Sequence, residues 1–234
     1  IFLSFYSTAS YDRFWEGRKQ WGALLNTTRS LTRQALTMSG QPDGSPATRH
    51  FVRLLVAFTY ALKHQLRHTD AALDLARLLP APLAQAVQEA TYQPMRLLLA
   101  LGRWVQQGKE AGQLDATTQL AFDHNLNQLS DIVGSCERLA GTPIPYTYRV
   151  MLHRTTYLYC FLLPFGLVDS IGWMTPLIVT FVGYTFMALD AIVREIEEPF
   201  GTGSNDLALN TMSHTIESTL LEMAGEPTPA APTR

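Results

Sequence analysis

Thr155-Thr-Tyr-Leu-Tyr-Cys-Phe-Leu-Leu-Pro-Phe-Gly-Leu-Val-Asp-Ser-Ile-Gly-Trp173 runs directly into Met174-Thr-Pro-Leu-Ile-Val-Thr-Phe-Val-Gly-Tyr-Thr-Phe-Met-Ala-Leu-Asp-Ala-Ile192. Only Asp169 and Asp190 carry charge across this stretch. A helix needs about 20 mostly apolar residues to cross a bilayer. Each half supplies about that length, and the joint Asp169-Ser170-Ile171-Gly172 holds turn formers. Residues 155–192 therefore read as a transmembrane helical hairpin. The competing reading is a hairpin buried in the core of a large soluble α-protein, because core helices are also apolar all round.

Whole-chain averages conceal this feature. The 234 residues are 47% hydrophobic and 16% charged, values that a soluble protein also shows. A net charge of −2 offers no field to attract nucleic acid. Cys136 and Cys160 form no CxxC or Cys/His ligand spacing, so neither a disulfide framework nor zinc is indicated. His64 and His68 stand four apart as His-Gln-Leu-Arg-His, without the glutamate of a zinc hydrolase or a third ligand. No P-loop, GxGxxG, GxSxG or HExxH occurs, so the sequence carries no enzyme signature and implies no cofactor and no metal.

The rest of the chain reads as helices separated by clear breaks. Residues 1–38 lack proline and form one long helix, opening on Ile1-Phe-Leu-Ser-Phe-Tyr6, which reads as the tail of a longer apolar helix begun upstream. Gly40 to Pro46 is a loop. Phe51, Leu54, Leu55, Phe58, Leu62 and Leu66 mark one face of a helix over 47–67. Further helices follow to Leu79, from about Pro94 to Gln107, and over 116–139 after a capping Asp115, before the break Gly141-Thr-Pro-Ile-Pro145. Nothing reads as a strand, so the class is all-α. Of the 18 lysines and arginines, all but Arg194 and Arg234 precede Thr155, and Arg149, Arg154 and Arg194 flank the hairpin. The positive-inside rule puts both hairpin ends in the cytoplasm. Residues 11–154 then form a cytoplasmic helical region and 193–223 a cytoplasmic C-terminal helical segment. Residues 224–234 (Ala-Gly-Glu-Pro-Thr-Pro-Ala-Ala-Pro-Thr-Arg) read as a disordered tail.

Ile1 and Phe5 share one face of the first helix, and Thr8 and Asp12 continue it toward the cytoplasm. Such a face lines a pore if repeated around an axis, or packs against lipid or another helix. Tyr11, Arg13, Trp15 and Trp21 suit an aromatic and basic belt at the membrane–water interface. Asp190 sits four residues before Arg194, the spacing of an ion pair. Glu195, Glu197 and Glu198 precede a loop ending at Asp206, an acidic run without EF-hand spacing.

Taken together, Phe5, then Tyr11-Asp-Arg-Phe-Trp-Glu-Gly-Arg-Lys-Gln-Trp-Gly22, Gly141-Thr-Pro-Ile-Pro145 and Glu198-Pro-Phe-Gly-Thr-Gly-Ser-Asn-Asp-Leu207 resemble the bestrophin family, its bacterial branch in particular. The resemblance covers essentially the whole chain. It implies a homopentameric ion channel in the cell membrane, multi-pass, with most of each subunit cytoplasmic around a central pore. Residues 1–10 become the end of a pore-lining transmembrane helix, and the family's apolar neck falls on Ile1 and Phe5. A second, cytoplasmic constriction falls near Leu120. Animal relatives bind calcium in an acidic run after Pro-Phe-Gly; here only Asp206 of that run is a carboxylate, so the ligands are not carried over. Isoleucine at the neck resembles the bacterial pattern and leans toward monovalent cations such as sodium over chloride. The partners implied are other copies of the chain, the bilayer and monovalent ions. The alternative is a non-conducting, membrane-anchored scaffold that docks a partner.

Overall fold

The computed structural model describes residues 2–42 and 44–230. Among these residues the helices are α1 (Phe2–Thr37), α2 (Pro46–Arg67), α3 (Ala72–Leu78), α4 (Ala81–Gln88), α5 (Gln93–Glu110), α6 (Ala116–Gly141), α7 (Tyr146–Ile171), α8 (Thr175–Glu197) and α9 (Leu209–Met223). No strand occurs among them, and the protein is all-α. The chain divides into two units, one of residues 1–17 with 139–207, the other of 18–138 with 208–234.

The second unit is built around α2. Ser45 starts that helix by accepting the Thr48 N–H at 3.2 Å, and Pro46 occupies its first turn, where a missing N–H costs nothing. His68 ends it at φ 52°, a left-handed turn, with the Thr69 N–H on the His64 carbonyl at 3.0 Å. The predicted stripe of Phe51, Leu54, Leu55, Phe58, Leu62 and Leu66 is buried, but so is every other residue from 51 to 62 except Arg53. The helix is enclosed all round because α3, α5 and α9 pack on different sides of it. Phe51 meets Trp104 at 4.4 Å and Phe122 edge-on at 5.8 Å between ring centroids. The Trp104 indole N–H donates to the Ala47 carbonyl at 3.0 Å, so the half-buried ring keeps its donor paired.

One buried carboxylate ties this unit together. Glu217 of α9 is 1% exposed and accepts the Tyr60 hydroxyl at 2.7 Å and the Arg77 guanidinium. Burial first, and then the neighbouring Glu217, raise the pKa of the Tyr60 hydroxyl above its ordinary value. The two histidines do separate work: His64 lies 2.9 Å from Asp74 while His68 forms the helix terminus. Arg53 donates to Glu226 at 2.8 Å, and the His214 ring lies 2.9 Å from the Ala230 carbonyl, so polar contacts hold a segment too apolar-poor to pack a core.

The first unit carries the hairpin. At about 1.5 Å per residue, α7 and α8 are about 39 and 35 Å long, enough for the roughly 30 Å hydrocarbon layer. They run antiparallel: Tyr159 meets Phe186 edge-on at 5.8 Å, and Cys160 faces Gly183. Only 6% of the most apolar window in Tyr146–Glu197 is buried. Phe161, Phe165, Phe181, Tyr184 and Trp173 are each more than 65% exposed. A soluble core hairpin would bury these side chains, so the surface requires an apolar surrounding. The turn lies slightly later than expected. Asp169, Ser170 and Ile171 stay helical, and the chain reverses over Gly172–Met174, where glycine takes φ 54° without a Cβ clash.

Candidate functional site

The first turns of α1 present two unlike faces within the first unit. Tyr6 is 5% exposed and packs with Leu152, Val193 and Ile144. Its hydroxyl donates to Glu197 at 2.6 Å, satisfying a carboxylate that is itself buried. Its neighbour Phe5, about 100° round the helix, is 71% exposed. With Tyr6 and Ala9 it lines an apolar groove of about 430 Å³ that Tyr148, Met151 and Thr155 of α7 also line. Tyr6 thus anchors α1, and Phe5 is left largely exposed. Ile1, the other expected neck residue, lies outside the described residues.

Two turns on, Arg13 does something the interface-belt reading did not foresee. Its guanidinium donates to three carbonyls: Leu139 at 2.7 Å, Thr142 at 2.6 Å and Glu197 at 3.2 Å. These lie at the C-terminal ends of α6 and α8, where orphan carbonyls and the helix dipole favour a cation. Arg13 is therefore a shared cap for two helices rather than a headgroup-facing charge. Replacing it with glutamine is expected to cost about 2–3 kcal/mol, since charge-assisted hydrogen bonds contribute about 1.5–3 kcal/mol each and do not simply add. Lysine should rescue only part, because a point ammonium lacks the planar fork. Thermal unfolding in detergent measures both variants; a melting temperature unchanged in the glutamine variant would contradict the capping role.

The next turn explains why the two sequence blocks occur together. A Cβ on Gly17 would stand 3.2 Å from both Phe200 and Leu207, each buried. The Arg-Phe-Trp-Glu-Gly block and the Pro-Phe-Gly…Asn-Asp-Leu block are the two sides of one contact. Within the second block Asp206 accepts the Gly203 N–H at 2.6 Å, and a Cβ on Gly201 would collide with its carboxylate. Asp206 therefore serves the loop's own backbone. At the base of the hairpin Asp190 pairs with Arg194 at 3.1 Å, the expected i,i+4 pair, and His153 of α7 joins them at 3.6 Å.

The remaining belt residues part company. Tyr11 and Trp15 are 56% and 50% exposed. Trp21, by contrast, is 2% exposed and counts with the second unit, so a place in an interfacial belt does not describe it; the helix face that carries it is a core face. Leu120 also lies in the second unit, on α6, 68% exposed beside a shallow groove with Gln106 and Asp123. Sequence reasoning missed the roles of Tyr6 and Glu197, whose separation of 191 residues leaves no local signal.

The family described as Bacterial/Fungal Bestrophin protein matches residues 1–222. The chain belongs to the bestrophin family. A Ralstonia nicotianae protein named as voltage-dependent anion channel-forming is 54% identical over 227 residues, covering 97% of this chain and 74% of the relative. An Escherichia coli protein with the same description is 41% identical over 226 residues, covering 97% and 73%. A crystal structure of a bacterial bestrophin homologue from Klebsiella pneumoniae superposes with a TM-score of 0.92 at 44% identity, over 97% of this chain and 84% of the other. Bestrophins are membrane-embedded ion channels rather than enzymes. The lean toward cations drawn from an isoleucine at the neck is corrected by these relatives, whose names say anion. An apolar side chain carries no charge with which to choose a sign, so the identity of residue 1 was a weak guide.

Proposed function

We propose that this bestrophin is the pore-forming subunit of a homopentameric channel that passes small monovalent ions, anions in preference to cations. The subunit is multi-pass, with α7 and α8 as two spans, both hairpin ends on the cytoplasmic side and the second unit in the cytoplasm. Arg149, Arg154 and Arg194 beside the hairpin support that orientation. The observation that carries the reading is Phe5, a large apolar side chain 71% exposed on a helix anchored by its buried neighbour Tyr6. Copies arranged about an axis turn Phe5, with Ile1 one turn before it, into apolar rings at a neck. Such rings set a barrier by excluding or admitting water. Leu120, exposed on α6, forms the second constriction. The anion preference rests on the relatives' names.

Native mass spectrometry of the detergent-solubilised protein should give five copies, and chloride should leave loaded liposomes that contain it. A folded oligomer that releases no ions would leave the scaffold reading in its place.

A further inference from the structure

The stripe of α1 that begins at Phe5 does not stay apolar. Seven residues make almost two full turns, so Asp12 lies within about 20° of Phe5 around the helix and about 10 Å further along it. Thr8, between them, is exposed, and so is Asp12. Asp12 makes no hydrogen bond or ion pair with any described residue. Its neighbour Arg13 does not neutralise it, because that guanidinium is turned away and engaged by three carbonyls. Glu16 and Lys19, further along the same stripe, each already have a partner. Asp12 is thus the first charge met after Phe5 on this face, and no described residue pairs with it.

From this geometry we infer that Asp12 tempers the anion preference of the ion path, forming a ring of carboxylates just beyond the apolar neck. The inference rests on the reading of Phe5 as a pore residue. A ring of aspartates raises local cation concentration and depletes anions, whereas the neck itself is blind to sign. Asp12 therefore holds anion permeability below what the neck alone would give, whichever ion the whole channel favours.

The test is the reversal potential of the full-length protein in planar bilayers under a sodium chloride gradient. Asp12→Asn should move it toward the chloride potential, a change of about 3- to 10-fold in the permeability ratio, as a ring potential of a few kT implies. Asp12→Lys should move it further the same way, and Asp12→Glu should leave it near wild type. Asp12→Cys supplies an independent arm on the folded channel. A positively charged thiosulfonate reagent should shift reversal toward chloride and a negatively charged one back again. Wild-type protein, with buried Cys136 and half-buried Cys160, gives the background. Conducting variants whose reversal potential stays put would show that Asp12 lies off the ion path, with the channel reading intact. Absence of current from wild type would remove the channel reading itself, and this inference with it.

Discussion

Phe5→Ala is expected to raise single-channel current severalfold, on the order of the gain from removing a dewetting constriction. Phe5 contributes little to its own subunit's core, being 71% exposed, so truncation should leave the fold in place. The buried anchor next to it, Tyr6 with Leu152 and Val193, is untouched. What changes is the width of the neck and the ease with which water and partly hydrated ions enter it. Phe5→Leu, which keeps an apolar side chain, should fall between the two. An unchanged unitary current in Phe5→Ala would count against a neck role for this residue, and would shift attention to Ile1.

The largest expected loss of stability lies in the second unit. Arg77→Ala should destabilise the protein by about 3 kcal/mol, because it leaves a buried carboxylate without its cation. Glu217 is 1% exposed and, among the described residues, keeps only the Tyr60 hydroxyl once Arg77 is gone. The partly exposed Arg77 holds the estimate at the lower end of the range for a broken buried pair. Glu217→Gln should cost less, since the amide still accepts from Tyr60 and removes the uncompensated charge. Denaturant unfolding of the two variants side by side measures the difference; equal stabilities would contradict an ion pair that matters to the fold.

Sequence carried the hairpin well, because a bilayer-facing surface leaves a one-dimensional record: Tyr157 to Ile192 is apolar on every side of two helices. It carried α2 less completely. Periodicity revealed the stripe from Phe51 to Leu66, but Val52, Val56 and Thr59 on the other sides gave no hint that three helices enclose them. Charged residues were the hardest to place. Arg13 and Trp21 both looked like membrane-interface residues, and the fold uses one as a cap for α6 and α8 and the other as core. The partners of Arg13 come from segments more than a hundred residues away, so no local spacing reports them. Asp190 was legible because its partner Arg194 is one turn along the same helix. The family blocks pointed to a site before any geometry did, and Gly17 against Phe200 and Leu207 supplies the physical reason that they travel together.

The measurement that bears most directly on the central claim is a recording of purified full-length protein in planar bilayers under a sodium chloride gradient. The account predicts unitary currents that reverse on the chloride side of zero. A folded oligomer that passes no current would contradict the channel reading, and steady currents reversing at the sodium potential would contradict the anion preference.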